Sequence, residues 1–132
     1  MGKVFLIQTP SIDRKGRSIN IQAAAVHGDV LVVLDAGDYP TYRSAKCLDK
    51  VTHKLSEFNP DQDFLLWAGG DTLSAVMAGA VLYRFGLTRF RWLRFERFRN
   101  EDGTRDNDRG EYHPIWVNLF PPTDDGQLSL NV

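Results

Sequence analysis

The strongest constraint on this chain is an alternation of pattern between residues 30 and 86. Val30-Leu31-Val32-Val33-Leu34 is a nearly continuous apolar run, the signature of a strand covered on both faces. After Asp35-Ala36-Gly37-Asp38 the period changes, and Ser44, Leu48, Val51, Leu55 and Phe58 fall at helical spacings of three and four. Pro40 suits the first turn of that helix, which is expected to run four to five turns. Asn59-Pro60-Asp61 ends it, and Asp63 to Ala68 reads as a second buried strand. Gly69-Gly70 then turns the chain, Asp71 caps, and Thr72 to Phe85 forms a second helix stopped by Gly86. Strand, helix, strand and helix in this order predict right-handed parallel crossovers in one sheet.

The flanks add strands to that unit. Lys3 to Thr9 is a short β-type run stopped by Pro10. Turn chemistry at Asp13-Arg14-Lys15-Gly16-Arg17 and the alternation Ile19-Asn20-Ile21-Gln22-Ala23 predict a hairpin. His27-Gly28-Asp29 is a second tight connection, which makes Val30 to Leu34 the third strand and a central one. Arg89 to Arg99 follows as a strand, Asn100 to Gly110 as a loop or hairpin tip, and Pro114 to Phe120 as a last strand whose proline points to an edge. The fold class is therefore α/β: a single domain over residues 1–122, with a mixed sheet of about six strands (β-β-β-α-β-α-β-β) and two helices. Residues 123–132 form a polar tail. The second helix is apolar nearly all round, and Gly79 within it costs about 1 kcal/mol relative to alanine, so close packing is its expected reason.

Composition narrows the function classes. A chain of 132 residues supports one core, and 16 basic against 17 acidic residues (net charge −1) exclude a uniformly basic nucleic-acid coat while permitting a local patch. The single cysteine, Cys47, has no partner for an internal disulfide, the start carries no secretory pattern, and Gly69, Gly70 and Asp71 interrupt the longest apolar stretch. A cytoplasmic protein without a membrane anchor is expected.

Two groups of residues carry candidate chemistry. In open α/β sheets ligands gather outside the carboxyl ends of parallel strands, where Asp35, Gly37 and Asp38 would meet Gly69, Gly70 and Asp71. Converging carboxylates raise one another's pKa or recruit a hard cation such as Mg²⁺. The plainer reading makes Asp71 an N-cap and gives Asp35 and Asp38 to a turn. A phosphate loop at Gly69-Gly70-Asp71-Thr72 fits poorly, because no Lys-Ser/Thr pair follows the glycines. The second group is Arg84, Arg89, Arg91, Arg94, Arg97 and Arg99, interleaved with aromatics that include Trp92 and opposed within the segment only by Glu96. Arginine with exposed aromatics equips a surface for backbone charge neutralisation and base stacking. Acids from Glu101 to Glu111 would compensate much of that charge across a hairpin. His27, His53 and His113 show no zinc spacing, Ser74 sits inside a helix, and Cys47 reads as packing.

The segments Val32-Val33-Leu34-Asp35, Leu65-Leu66-Trp67-Ala68-Gly69-Gly70-Asp71 and Trp92-Leu93-Arg94-Phe95-Glu96-Arg97 resemble a group of small phage-encoded α/β proteins, over roughly half the chain. The resemblance implies a phage origin and a single α/β domain, and it carries no activity. Asp35 and Gly70-Asp71 are also similar to the metal-dependent nucleases of the PIN and NYN type, with Leu73 standing where that family places a further acid. The leading expectation is a non-enzymatic phage accessory protein without a cofactor. It would bind a host protein or nucleic acid through Arg89, Arg91, Arg94, Arg97, Arg99 and Trp92, and an edge strand would permit a homodimer. The alternative is a Mg²⁺-dependent nuclease using Asp35, Asp38 and Asp71, with Gly69 and Gly70 as a ligand loop.

Overall fold

The computed structural model describes residues 2–10 and 21–121. Among them, five strands form one sheet: β1 (Lys3–Gln8), β2 (Asp29–Leu34), β3 (Phe64–Leu66), β4 (Arg89–Arg99) and β5 (Arg105–Asn118). Two α-helices accompany them, α1 (Ser44–Lys54) and α2 (Thr72–Arg84), with 3-10 helices at Gln22–His27 and Leu55–Glu57. The strand order is β2-β1-β3-β4-β5. The first four strands are parallel and β5 returns antiparallel along β4.

β1 explains the layering. Its apolar run sends Val4 and Leu6 to one face and Phe5 and Ile7 to the other, all of them buried. Phe5 and Ile7 join Leu65 and Phe90 beneath Cys47, Val51 and Leu55 of the α1 segment and Ala78, Val81 and Leu82 of α2. Val4 and Leu6 join Phe64, Leu66, Leu93 and Tyr112 beneath Ala24 of the first 3-10 helix. A right-handed crossover fixes which face its connection covers, so steps in opposite directions across the sheet cover opposite faces. The steps from β2 to β3 and from β3 to β4 run one way and share the α-helical face. The step from β1 to β2 runs back, and its 3-10 helix covers the other.

Several expectations change. Residues 21–23 belong to the 3-10 helix and its approach rather than to a strand, and residues 19 and 20 lie outside the described residues, as does the tail 123–132. The run Ala23-Ala24-Ala25 favours helical geometry over the pairing that the alternation implied. β2 is an edge strand and β1 is interior: a continuous apolar run reports coverage of both faces, not rank within the sheet. α1 is shorter than expected and continues as the 3-10 turn. Its buried line runs through Cys47, Val51, Leu55 and Phe58, while Ser44 and Leu48 are exposed. β5 is longer than expected and takes in much of the polar stretch.

Candidate functional site

The strand order reverses between β1 and β3, which makes the carboxyl ends of those strands the crevice of this sheet. Gln8, the last residue of β1, fills it. Only 2% exposed, its side chain donates from Nε2 to the Asp35 carbonyl (3.2 Å) and the Asp38 carbonyl (2.9 Å). Its Oε1 accepts from the backbone N–H of Asp71 at 2.9 Å. One amide thus ties the turn after β2 to the turn after β3. Gly70 has φ +98°, and a Cβ there would stand 2.5 Å from Gln8 Oε1, so this position requires glycine on two counts.

The rim therefore brings together Asp35, Asp38, Gly69, Gly70 and Asp71, and gives every carboxylate a partner, Lys50 being shared by Asp35 and Asp38. Lys50 Nζ of α1 lies 3.3 Å from Asp35 Oδ2 and 2.8 Å from Asp38 Oδ2. The hydrogen bond from Lys50 holds the Asp38 carboxyl below its usual range, and Asp38 in turn raises Lys50. Asp38 Oδ2 also accepts from the backbone N–H of Asp35 at 2.8 Å. Asp71 caps α2, its Oδ1 accepting from Leu73 N at 3.0 Å while Oδ2 accepts from the backbone N–H of Thr41 at 2.9 Å and from the Thr41 hydroxyl. The Thr41 hydroxyl and these backbone donors lower its pKa. Among the described residues, no group of three or more His, Cys, Asp or Glu side chains is placed to hold a metal ion. Ser74 bonds back to the Asp71 carbonyl at 2.6 Å and accepts from Trp67 Nε1, as a capped first turn predicts. Cys47 is buried, and burial raises its thiol pKa.

The arginines divide differently. Along β4, period two places Arg89, Arg91 and Arg97 with Leu93 and Phe95 on the face opposite the α-helices, and Arg94 with Trp92 on the helical face. Trp92 packs against the core on the helical face and lies apart from the Arg89–Arg91 surface. Trp116, opposite Arg91 in β5, takes the place on that surface expected of Trp92. The Arg89 guanidinium lies 4.1 Å from the Trp116 ring centre, and the Arg91 guanidinium 4.2 Å from Phe64 and 5.5 Å from Trp116. His27 continues the row, its ring 5.4 Å from Phe64 and its Nε2 donating to the Tyr112 carbonyl at 2.9 Å. Arg91 Nη2 donates to the Asp61 carbonyl at 2.9 Å, while its Nε is buried without a partner among the described residues.

Among the described residues, no acid pairs with Arg89 or Arg91 in this row. Glu96 stands opposite Glu111, and both turn to His113, at 3.7 and 3.2 Å from its Nε2. Nearer the hairpin tip Arg99 stands opposite Arg105, and Arg99 donates to the Gly103 carbonyl. Sequence reasoning missed Gln8, Thr41, Lys50 and Trp116. A polar residue closing an apolar strand was the one visible trace of Gln8, and Trp116 needed the pairing register of the hairpin.

The described residues form one mixed α/β sheet whose carboxyl rim is sealed and whose face opposite the α-helices carries an arginine–aromatic row. The sequence model of the phage Pam3 gp32-like protein family matches residues 2–102. The chain belongs to that family, which makes it a phage-type accessory protein, and the family carries the phage origin without the nuclease resemblance. No curated protein and no solved structure matches it significantly. Among the described residues, no helix is long and apolar enough to cross a membrane.

Proposed function

We propose that this phage protein is a non-enzymatic binding module that holds a nucleic-acid strand against the base of the β4–β5 hairpin. One observation carries the reading: Arg89 and Arg91 are laid against Trp116 and Phe64 with no carboxylate partner among the described residues. A guanidinium stacked on a ring keeps in-plane N–H donors free of that ring for an anion, and phosphate oxygens match that geometry. Arg91 gives Nη2 to the Asp61 carbonyl and buries Nε, so Arg89 offers the larger donor set. Trp116 is 44% exposed and supplies a face on which a base stacks. The net charge of −1 confines the attraction to this patch, so binding is local and steeply salt-dependent.

Mg²⁺-dependent hydrolysis at Asp35, Asp38 and Asp71 has less support, because Lys50, Thr41 and the first turn of α2 already engage those carboxylates. The test is fluorescence anisotropy with a labelled single-stranded oligonucleotide across a salt series. Each phosphate contacted contributes a slope of about −0.7 in log affinity against log salt. Arg89→Ala combined with Arg91→Ala should weaken binding at least about tenfold, roughly 1.4 kcal/mol. No binding at low salt, or equal binding by the double variant, overturns the reading. Retention of a host protein after nuclease digestion of a lysate, with no oligonucleotide bound, replaces nucleic acid by a protein partner.

A further inference from the structure

The two helices on one face of the sheet present opposite chemistry to solvent. α1 turns Lys46, Asp49, His53 and Lys54 outward. α2 contains a single charged residue, Arg84, and its outer side carries Leu73, Val76, Ala80 and Tyr83. Leu73, Val76 and Tyr83 are 40%, 64% and 52% exposed, and Phe85 just beyond the helix is 43% exposed. A helix that is apolar on every side is normally enclosed on every side, and a continuous exposed apolar patch marks a contact surface. Gly79 sharpens the point. A Cβ at that position would meet nothing within 4 Å, so the close packing expected of this glycine is absent among the described residues.

We propose that the outer face of α2 pairs with the same face of a second copy, the two helices antiparallel about a two-fold axis beside residue 78. Three features select that occupant. The stripe is self-complementary, since positions 73 and 83, and 76 and 80, are each symmetric about 78; the two-fold sets Leu73 against Tyr83 and Val76 against Ala80, a large residue facing a small one. The charges do not oppose it. Arg84 in the last turn is the one charged residue of α2, so no like charges meet along the stripe, and an antiparallel pair aligns opposite helix dipoles. Gly79, beside the axis, lets the two backbones approach closely in the space that its missing side chain leaves.

Tyr83 also meets the Phe120 ring at 5.2 Å, which extends the patch onto the segment after β5. A stripe one helix long is small beside the ~800 Å² per partner of standard interfaces, so the dimer is reversible, with a dissociation constant in about the micromolar range.

Light scattering on the full chain across a concentration series tests the pairing. The mass should rise from one copy of 15.0 kDa toward two, while Val76→Glu should remain at one copy with an unchanged melting temperature at low concentration. Mixing Val76→Cys with Ala80→Cys under mild oxidation should give several-fold more disulfide-linked dimer than either variant alone, and that result decides the matter should Val76→Glu fail to fold. A one-copy mass throughout overturns the proposal. So does a dimer that survives Val76→Glu, which would move the contact elsewhere, for example to the β5 edge, and so does equal crosslinking. None of these readouts depends on oligonucleotide binding.

Discussion

The carboxyl rim of the parallel strands and the base of the β4–β5 hairpin are both rich in charge, and they use it in opposite ways. At the rim, Lys50 and Thr41 meet the carboxylates of Asp35, Asp38 and Asp71 while Gln8 ties the two turns together through their backbones, so the acids hold the scaffold. At the hairpin base, Arg89 and Arg91 rest on rings and find no acid among the described residues. Charge by itself does not mark a functional surface; charge whose partners lie outside the chain does. The family match sharpens the contrast, because residues 2–102 include the whole rim and all of β4, while Trp116 lies beyond.

The contrast can be broken by exchanging readouts, since rim variants should move stability and leave binding alone, and hairpin variants the reverse. One of the two largest effects is expected at Gln8→Leu. It strands the Asp71 N–H in a part-buried position and frees two carbonyls, at a cost of about 1–3 kcal/mol in urea unfolding, with affinity for the oligonucleotide unchanged. Trp92→Ala and Trp116→Ala form the discriminating pair. The first removes packing beneath the helices and should cost about 2–3 kcal/mol of stability with little effect on binding. The second should weaken binding about tenfold, with a melting temperature close to that of the wild type.

Lys50→Met should have a smaller effect, with a distinctive dependence on pH. The ion pair depresses Asp38 and raises Lys50, so its contribution is complete above the unfolded carboxylate pKa of about 4 and persists until strongly alkaline pH. The variant should lose less than about 1 kcal/mol, equally at pH 6 and pH 8, with the difference fading as pH falls through the lowered Asp38 value. A loss that instead grows in acid would contradict the assigned pair. The smallest effect is expected at Asp35→Asn, whose side chain is mostly exposed and shares Lys50 with Asp38. Incubation with Mg²⁺ and single-stranded substrate should show no cleavage by either form, and cleavage by the wild type that Asp35→Asn abolishes would make the rim catalytic.

Much of the fold was legible because its signals are local. Glycine and aspartate at 69–71 announce a turn and a cap, Gly86 a helix stop, and the runs 30–34 and 63–68 two covered strands, and α2 and the parallel crossovers are found where these residues put them. The alternation at 19–23 misled because a few residues of mixed polarity fit a strand or a helical turn equally, and the Leu48 line on α1 misled because neighbouring lines on a helix differ by one position. The candidate site was half legible. The arginines are evident by type, yet which of them share a face with which tryptophan depends on strand register, and that replaced Trp92 by Trp116.

Sequence alone therefore determined the two α-helices, four of the five strands, the Asp71 cap of α2 and the convergence of residues 35–38 and 69–71 on one rim, since parallel crossovers leave no other place for those turns. Tertiary structure decided that β1 is interior, that one glutamine seals the rim, that Glu96 and Glu111 face each other, and that α2 keeps an apolar side exposed. The physical reason is range. Propensity and capping act over a few residues, whereas partner choice among charges and coverage of a helix face depend on which distant segments arrive alongside.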